Sequence, residues 1–205
     1  MNKLSLLLLT LVALPLSGHA ATGLFDQFVI INTGTNTYYD IGASTANAEF
    51  QGSNLGTFNP GGGSTMSLGG QGKSFKNNGS DVTGMELYYR VWQGAESGTF
   101  TPFNYAFQIN NVGGTSGDQQ WGSDVAGSNP TAFYTSNVLS GLANGSYTLE
   151  VFSRINTNGV NTGNPVFNNV GGANYEATFT VVPEPSRALL GLIGLVGILS
   201  RRRRA

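Results

Sequence analysis

The stretch GSYTLEVFSRI, Gly145–Ile155, alternates large apolar and polar side chains with a period of two. Tyr147, Leu149, Val151 and Ile155 fall on one face, and Thr148, Glu150 and Arg154 on the other. That is the signature of a half-buried strand, because successive side chains of extended backbone point to opposite sides. GMELYYRVW (84–92) repeats the pattern, with Met85, Leu87, Tyr89 and Val91 opposite Glu86, Tyr88, Arg90 and Trp92. NYEATFTV (174–181) does so again, with Tyr175, Ala177, Phe179 and Val181 set against Glu176, Thr178 and Thr180.

Further strands are expected at Leu24–Ile31, Thr37–Asp40, Thr65–Leu68, Lys73–Lys76, Tyr105–Ile109 and Ala132–Val138. Thirty glycines, many beside Asn, separate them. Both residues reach positive φ cheaply and so favour turns. NNGS (77–80) and NGS (144–146) match glycosylation acceptors but read better as Asn-Gly turns. No amphipathic helix is expected between Ala21 and Val181. About eight short strands predict an all-β fold, an antiparallel β-sandwich of immunoglobulin-like or fibronectin-like type, with a jelly roll as the alternative. Leu142, Gly145 and Tyr147 form an L-x-x-G-x-Y pattern of the kind that precedes a late strand in such domains. There the Tyr hydroxyl bonds back to nearby backbone.

Composition excludes several chemistries. There is no Cys, so thiol catalysis, disulfides and Cys-ligated metals are out. The one His is His19, within the leader described below, which removes imidazole acid–base chemistry and His-ligated zinc from the body. Between Ala21 and Pro185 four basic residues (Lys73, Lys76, Arg90, Arg154) face eleven acidic ones, a net charge of −7. An acidic body argues against nucleic acid as a partner, since phosphate binding needs clustered Lys and Arg.

The two ends read as processing segments. Lys3, then the apolar run Leu4–Leu16, then the small-x-small site Gly18-His19-Ala20 predict a signal peptide over 1–20, cleaved after Ala20 or Ala21. The body is then 21–181 and the tail 182–205. The tail's apolar run, Ala188–Ser200, has thirteen residues. As a helix it spans ~20 Å, a marginal transmembrane length against a hydrocarbon core of ~30 Å. Arg201, Arg202, Arg203 and Arg204 should stay on the cytoplasmic side, which orients the body outward. Gly191, Gly194 and Gly197 weaken the helix or allow a close helix contact. Pro183 and Pro185 hold the chain extended just outside the membrane.

Pro183-Glu184-Pro185, a glycine-bearing apolar helix and Arg201–Arg204, in that order at the extreme C-terminus, resemble a PEP-CTERM sorting signal. The resemblance implies an exosortase, a multispanning membrane protease of Gram-negative bacteria that make extracellular polysaccharide. It implies recognition at Pro183, Glu184 and Pro185, removal of the tail, and release or surface attachment of the body. The expected route is export, an inner-membrane intermediate, then the cell surface, outer membrane or extracellular matrix. Signal peptidase and exosortase are the processing partners. YYDIGASTANAEFQGSNLGTFN (38–59) and GGQGKSFKNNGSDVTGMELYYRVW (69–92) are also similar to modules of unassigned activity in bacterial surface proteins.

Three candidate sites remain in the body. Tyr88 and Trp92, on one face of one strand, could stack on the apolar faces of an extracellular polysaccharide; the alternative is a covered second face in which they simply pack. The loop containing Asp118 and Asp124 offers oxygen ligands for calcium, the one cofactor for which the body has candidate residues. It lacks the D-x-D-x-D-G spacing and reads more simply as a surface loop with turn-forming aspartates. Glu86, Glu96, Asp118, Asp124 and Glu150 form a carboxylate pool for glycoside hydrolysis, but no spacing marks two as partners. Glu86 and Glu150 look like solvated surface charges. The expected function is a structural or adhesive surface protein rather than an enzyme. A carbohydrate-binding module is the alternative, and a glycan-active hydrolase the third reading.

Overall fold

Leu149, Val151 and Ile155 are each 0% exposed, so the alternation in Gly145–Ile155 does bury one face of a strand. The structure is a computed structural model that describes residues 22–43, 45–77, 79–122, 135–160 and 162–184. Its strands are β1 (Thr22–Asn32), β2 (Asn36–Asp40), β3 (Ala48–Glu49), β4 (Asn54–Phe58), β5 (Ser67–Lys76) and β6 (Val82–Trp92). They continue as β7 (Thr101–Tyr105), β8 (Phe107–Asn110), β9 (Gln119–Gly122), β10 (Gly145–Thr157), β11 (Val166–Asn168) and β12 (Tyr175–Val181). Among the described residues there is no α-helix, and no helix long and apolar enough to cross a membrane. The expected leader with Gly18 and Ala20, the apolar run Ala188–Ser200 and Arg201–Arg204 lie outside the described residues.

The strands form two sheets, ordered β3-β2-β1-β5-β9-β8 and β4-β12-β10-β6-β7, with β11 also paired to β10. The arrangement is sandwich-like: Val29, Ile31 and Leu68 of the first sheet share one apolar core with Met85, Leu87, Leu149, Val151 and Phe179 of the second. Each such side chain contributes roughly 1.5–3 kcal/mol by leaving water. The expectation of an antiparallel fold needs correction. Edge strands β3 and β4 pair parallel, to β2 and β12 respectively, so both sheets are mixed.

One polar bridge crosses the core. The Ser153 hydroxyl on β10 donates to Gln27 Oε1 on β1 at 3.0 Å, and the Gln27 amide donates to the carbonyls of Phe25 and Lys73. Gln27 reaches inward because β1 is bulged between Phe25 and Phe28, and Gly72 of β5 leaves the room it occupies. Gly70 does the same for the Tyr105 ring from the opposite sheet, where any Cβ would overlap the phenol. The glycines that argued for a break between Thr65–Leu68 and Lys73–Lys76 are therefore places where a continuous strand admits bulky neighbours.

Two other boundaries differ from expectation. Tyr105–Ile109 is two strands, because the chain leaves the second sheet after Tyr105 and enters the first at Phe107. Of Ala132–Val138, residues 135–138 carry no strand, and the rest lies outside the described residues. Thr135 and Val138 nevertheless donate backbone hydrogen bonds to Leu68 and Met66.

β10 is the longest strand among the described residues. Its thirteen residues span about 40 Å at ~3.3 Å each. Its Thr157 end pairs with Val82, and its Gly145 end pairs with Val181, the last residue of β12. The Tyr147 hydroxyl donates to the Ala143 carbonyl at 2.8 Å near that second end, the back-bond the L-x-x-G-x-Y pattern predicts. The Tyr147 ring stacks on Phe179 at 5.4 Å.

Candidate functional site

The outward face of β6 and β10 is a ladder of aromatic and charged rungs. Register pairs Trp92 with Thr148, Arg90 with Glu150, Tyr88 with Phe152, and Glu86 with Arg154. Both strands carry Glu-x-x-x-Arg, Glu86 to Arg90 and Glu150 to Arg154. Antiparallel pairing about the Tyr88–Phe152 rung sets each Glu opposite an Arg. This twin spacing was legible in the sequence and escaped the reading above. It also favours one register, since a slip would lose both ion pairs.

Glu150 is the centre of this face and is only 2% exposed. Arg90 Nε donates to its Oε2 at 2.6 Å, Trp92 Nε1 donates to the same oxygen at 3.3 Å, and Asn174 Nδ2 donates to Oε1 at 2.6 Å. Burial pushes the Glu150 carboxyl up, but the hydrogen bonds from Arg90, Asn174 and Trp92, together with the Arg90 charge, outweigh it and hold it below the usual carboxylate range. The Arg90 guanidinium is raised, first by its hydrogen bond to Glu150. The same guanidinium pairs with Glu96, donates to the Gly98 carbonyl at 3.4 Å and lies 4.3 Å from the Phe100 ring centre. Arg90 thereby folds the 93–100 loop back onto the sheet. Arg154 Nε donates to Glu86 Oε2 at 2.6 Å.

Glu86 and Glu150 are thus paired, half-buried and buried respectively, which corrects the expectation of solvated surface charges. An ionised Glu150 held by three donors cannot act as a proton-donating acid at neutral pH. Glu150 and Glu96 share the Arg90 guanidinium between them.

Tyr88 and Trp92 do lie on one face, as expected. The Tyr88 ring stacks on Phe152 at 4.8 Å, nearly parallel, and carries the Arg154 guanidinium at 4.8 Å. Trp92 is half-buried, with its N–H engaged by Glu150. The more open ring of this row is one the sequence did not flag: Phe167 of β11, 47% exposed and 6.1 Å from Phe152.

Asp118 sits between Gly117 and β9, with its backbone N–H bonded to the Thr115 carbonyl. Asp124 lies outside the described residues. Among the described residues no three His, Asp or Glu side chains gather as a ligand set for a metal.

Of the expected sorting motif, Pro183 and Glu184 are described and both are exposed; Pro185 lies outside the described residues. No linker separates them from the fold. β12 ends at Val181, opposite Phe58 of β4, and Val182 N–H donates to the Phe58 carbonyl at 2.9 Å. The chain matches no protein-family model and no curated protein.

Proposed function

We propose that this chain is an exported structural or adhesive protein of the cell surface or extracellular matrix. In this reading a leader delivers it, and an exosortase sorts and cuts it at the C-terminal tail. The observation that carries the reading is the tail itself. Pro183-Glu184-Pro185, the apolar run and four arginines follow one another in sorting-signal order, beginning two residues after the last strand ends. Exposure of Pro183 and Glu184 at one end of the body supports their use as a handle. The body works by displaying an acidic, Asn- and Gly-rich surface. Its engaged carboxylates disfavour the hydrolase reading.

We read the two sheets as the halves of a true sandwich. The chain passes between sheets after β3, β4, β5, β7 and β9. Such repeated exchange favours the jelly roll over an immunoglobulin-like order, in which four strands of one sheet face three of the other.

Deleting residues 186–205 tests the sorting claim by cell fractionation. The truncated body should be exported but lose its attachment to the surface. A truncated body that distributes like the full chain overturns the reading.

The carbohydrate-binding alternative has one observation in its favour, the open Phe167 ring on the aromatic row. If it holds, bacterial polysaccharides should perturb intrinsic fluorescence in the wild type but not in Phe167→Ala. No response to any of a polysaccharide panel would remove that support.

A further inference from the structure

The body carries a seat for its own sorting motif. After β4 the chain makes a tight turn through Asn59, Pro60, Gly61, Gly62 and Gly63. The turn is heavily bonded. Asn59 Oδ1 accepts from Gly62 N–H at 2.9 Å, the Pro60 carbonyl accepts from Gly63 N–H at 3.0 Å, and Asn59 N–H donates to Ser64 Oγ at 3.1 Å. Three successive glycines leave its second half, Gly61–Gly63, without side chains. Glu184 lies against it, and a Cβ added at Gly61 would stand 3.2 Å from the Glu184 Cβ and 3.5 Å from its Oε2. Val182, two residues earlier, is already tied to Phe58 just before the turn. Val182 and Glu184 thus both lie against the segment from Phe58 to Gly61.

We propose that Gly61 is a positioning residue for tail processing: the bare turn holds Glu184 where the processing protease must meet it. This rests on the sorting reading above and adds to it that the recognised surface includes the body, not the tripeptide alone. Gly61 suits a test because its φ is not in the left-handed region, so the backbone accepts an L side chain there. The physical effect of a side chain is displacement. An alanine Cβ requires the neighbour to yield by a few tenths of an ångström, and leucine adds three more carbons beside Glu184.

The experiment follows loss of the tail from the pulse-labelled full chain in its host. It compares wild type, Gly61→Ala, Gly61→Leu and, as a control, Thr37→Leu at an exposed site on β2. A shift of about 1 Å near a reacting bond costs up to roughly 100-fold, so Gly61→Leu should slow processing about tenfold or more. Gly61→Ala should fall between, and Thr37→Leu should match wild type. The melting temperature of the Gly61→Leu body should equal that of wild type. Processing of Gly61→Leu at the wild-type rate, or a slowdown accompanied by a lower melting temperature, overturns the proposal. A second readout does not depend on the protease. In the purified full chain, the Val182 and Glu184 amides should shift in the NMR spectrum and exchange faster in Gly61→Leu. Unchanged amides sink the seat itself, whereas a wild-type tail that is never removed in the host sinks the sorting reading.

Discussion

The same two strands, β6 and β10, carry two faces built on different principles. Inward, Met85, Leu87, Leu149, Val151 and Ile155 are almost wholly buried and meet one another by shape. Outward, Glu86, Tyr88, Arg90, Glu150, Phe152 and Arg154 meet by charge and ring geometry in fixed pairs. The inner face is stabilised by area removed from water, which is non-directional. The outer face specifies which residue stands opposite which. An apolar face can lose atoms only by opening a cavity. A paired face can lose one partner badly, or both partners mildly.

That contrast can be broken by substitution. The largest effect is expected from Arg90→Met, which leaves the buried Glu150 carboxylate without its cation. Breaking such a pair costs about 3–5 kcal/mol in urea denaturation. Adding Glu150→Leu should recover most of that loss; a double variant no better than the single would show that packing, not charge, holds this face. Leu149→Ala, on the inner side of the same strand, should cost about 2–5 kcal/mol. Adding Glu150→Leu to it should recover none of that loss.

The pH dependence of unfolding sharpens the comparison further. The Glu150 carboxyl is held below its unfolded value, so its stabilisation is fully present above the ordinary carboxylate pKa of about 4.3. It is lost as pH falls through the depressed folded value. Melting temperature should drop in that acid window, and Glu150→Gln should flatten the drop. An acid limb identical in wild type and Glu150→Gln would place the titration elsewhere.

Smaller effects test the edges. Arg154→Met breaks the less buried pair with Glu86 and should cost about 1 kcal/mol. Tyr147→Phe removes the hydroxyl bond to Ala143 while keeping the ring on Phe179, and should also cost about 1 kcal/mol. A loss above roughly 3 kcal/mol for either would mean that it holds more of the fold than its own contacts.

The inner face was legible in the sequence because period-two alternation is a local signal. Gly84–Trp92, Gly145–Ile155 and Asn174–Val181 were all recognisable from it, and they lie within or across β6, β10 and β12. β5 was recognisable only at its two ends, Thr65–Leu68 and Lys73–Lys76, since Gly69, Gly70 and Gly72 argue locally for a turn. The reason they sit in a strand, the Tyr105 ring and the Gln27 amide, lies far away in sequence. The switch at Ala106 was hidden for the same reason, because nothing local distinguishes a strand that changes sheets from one that continues. The outer face was misread where its chemistry is long-range. Glu150 has partners at Arg90, Trp92 and Asn174, none near it in the chain. Pro183-Glu184-Pro185 is plain in the sequence, but the closeness of Glu184 to Gly61 is not, because the two meet only once β4 and β12 pair.

Under the proposed function this body is delivered and then cut free of its tail. Intact-mass spectrometry of the protein purified from its own host tests it directly. The account predicts an N-terminus at Ala21 or Thr22 and a C-terminus within Pro183–Pro185, with or without an added group. A mature product that still carries Arg201–Arg204 would contradict it.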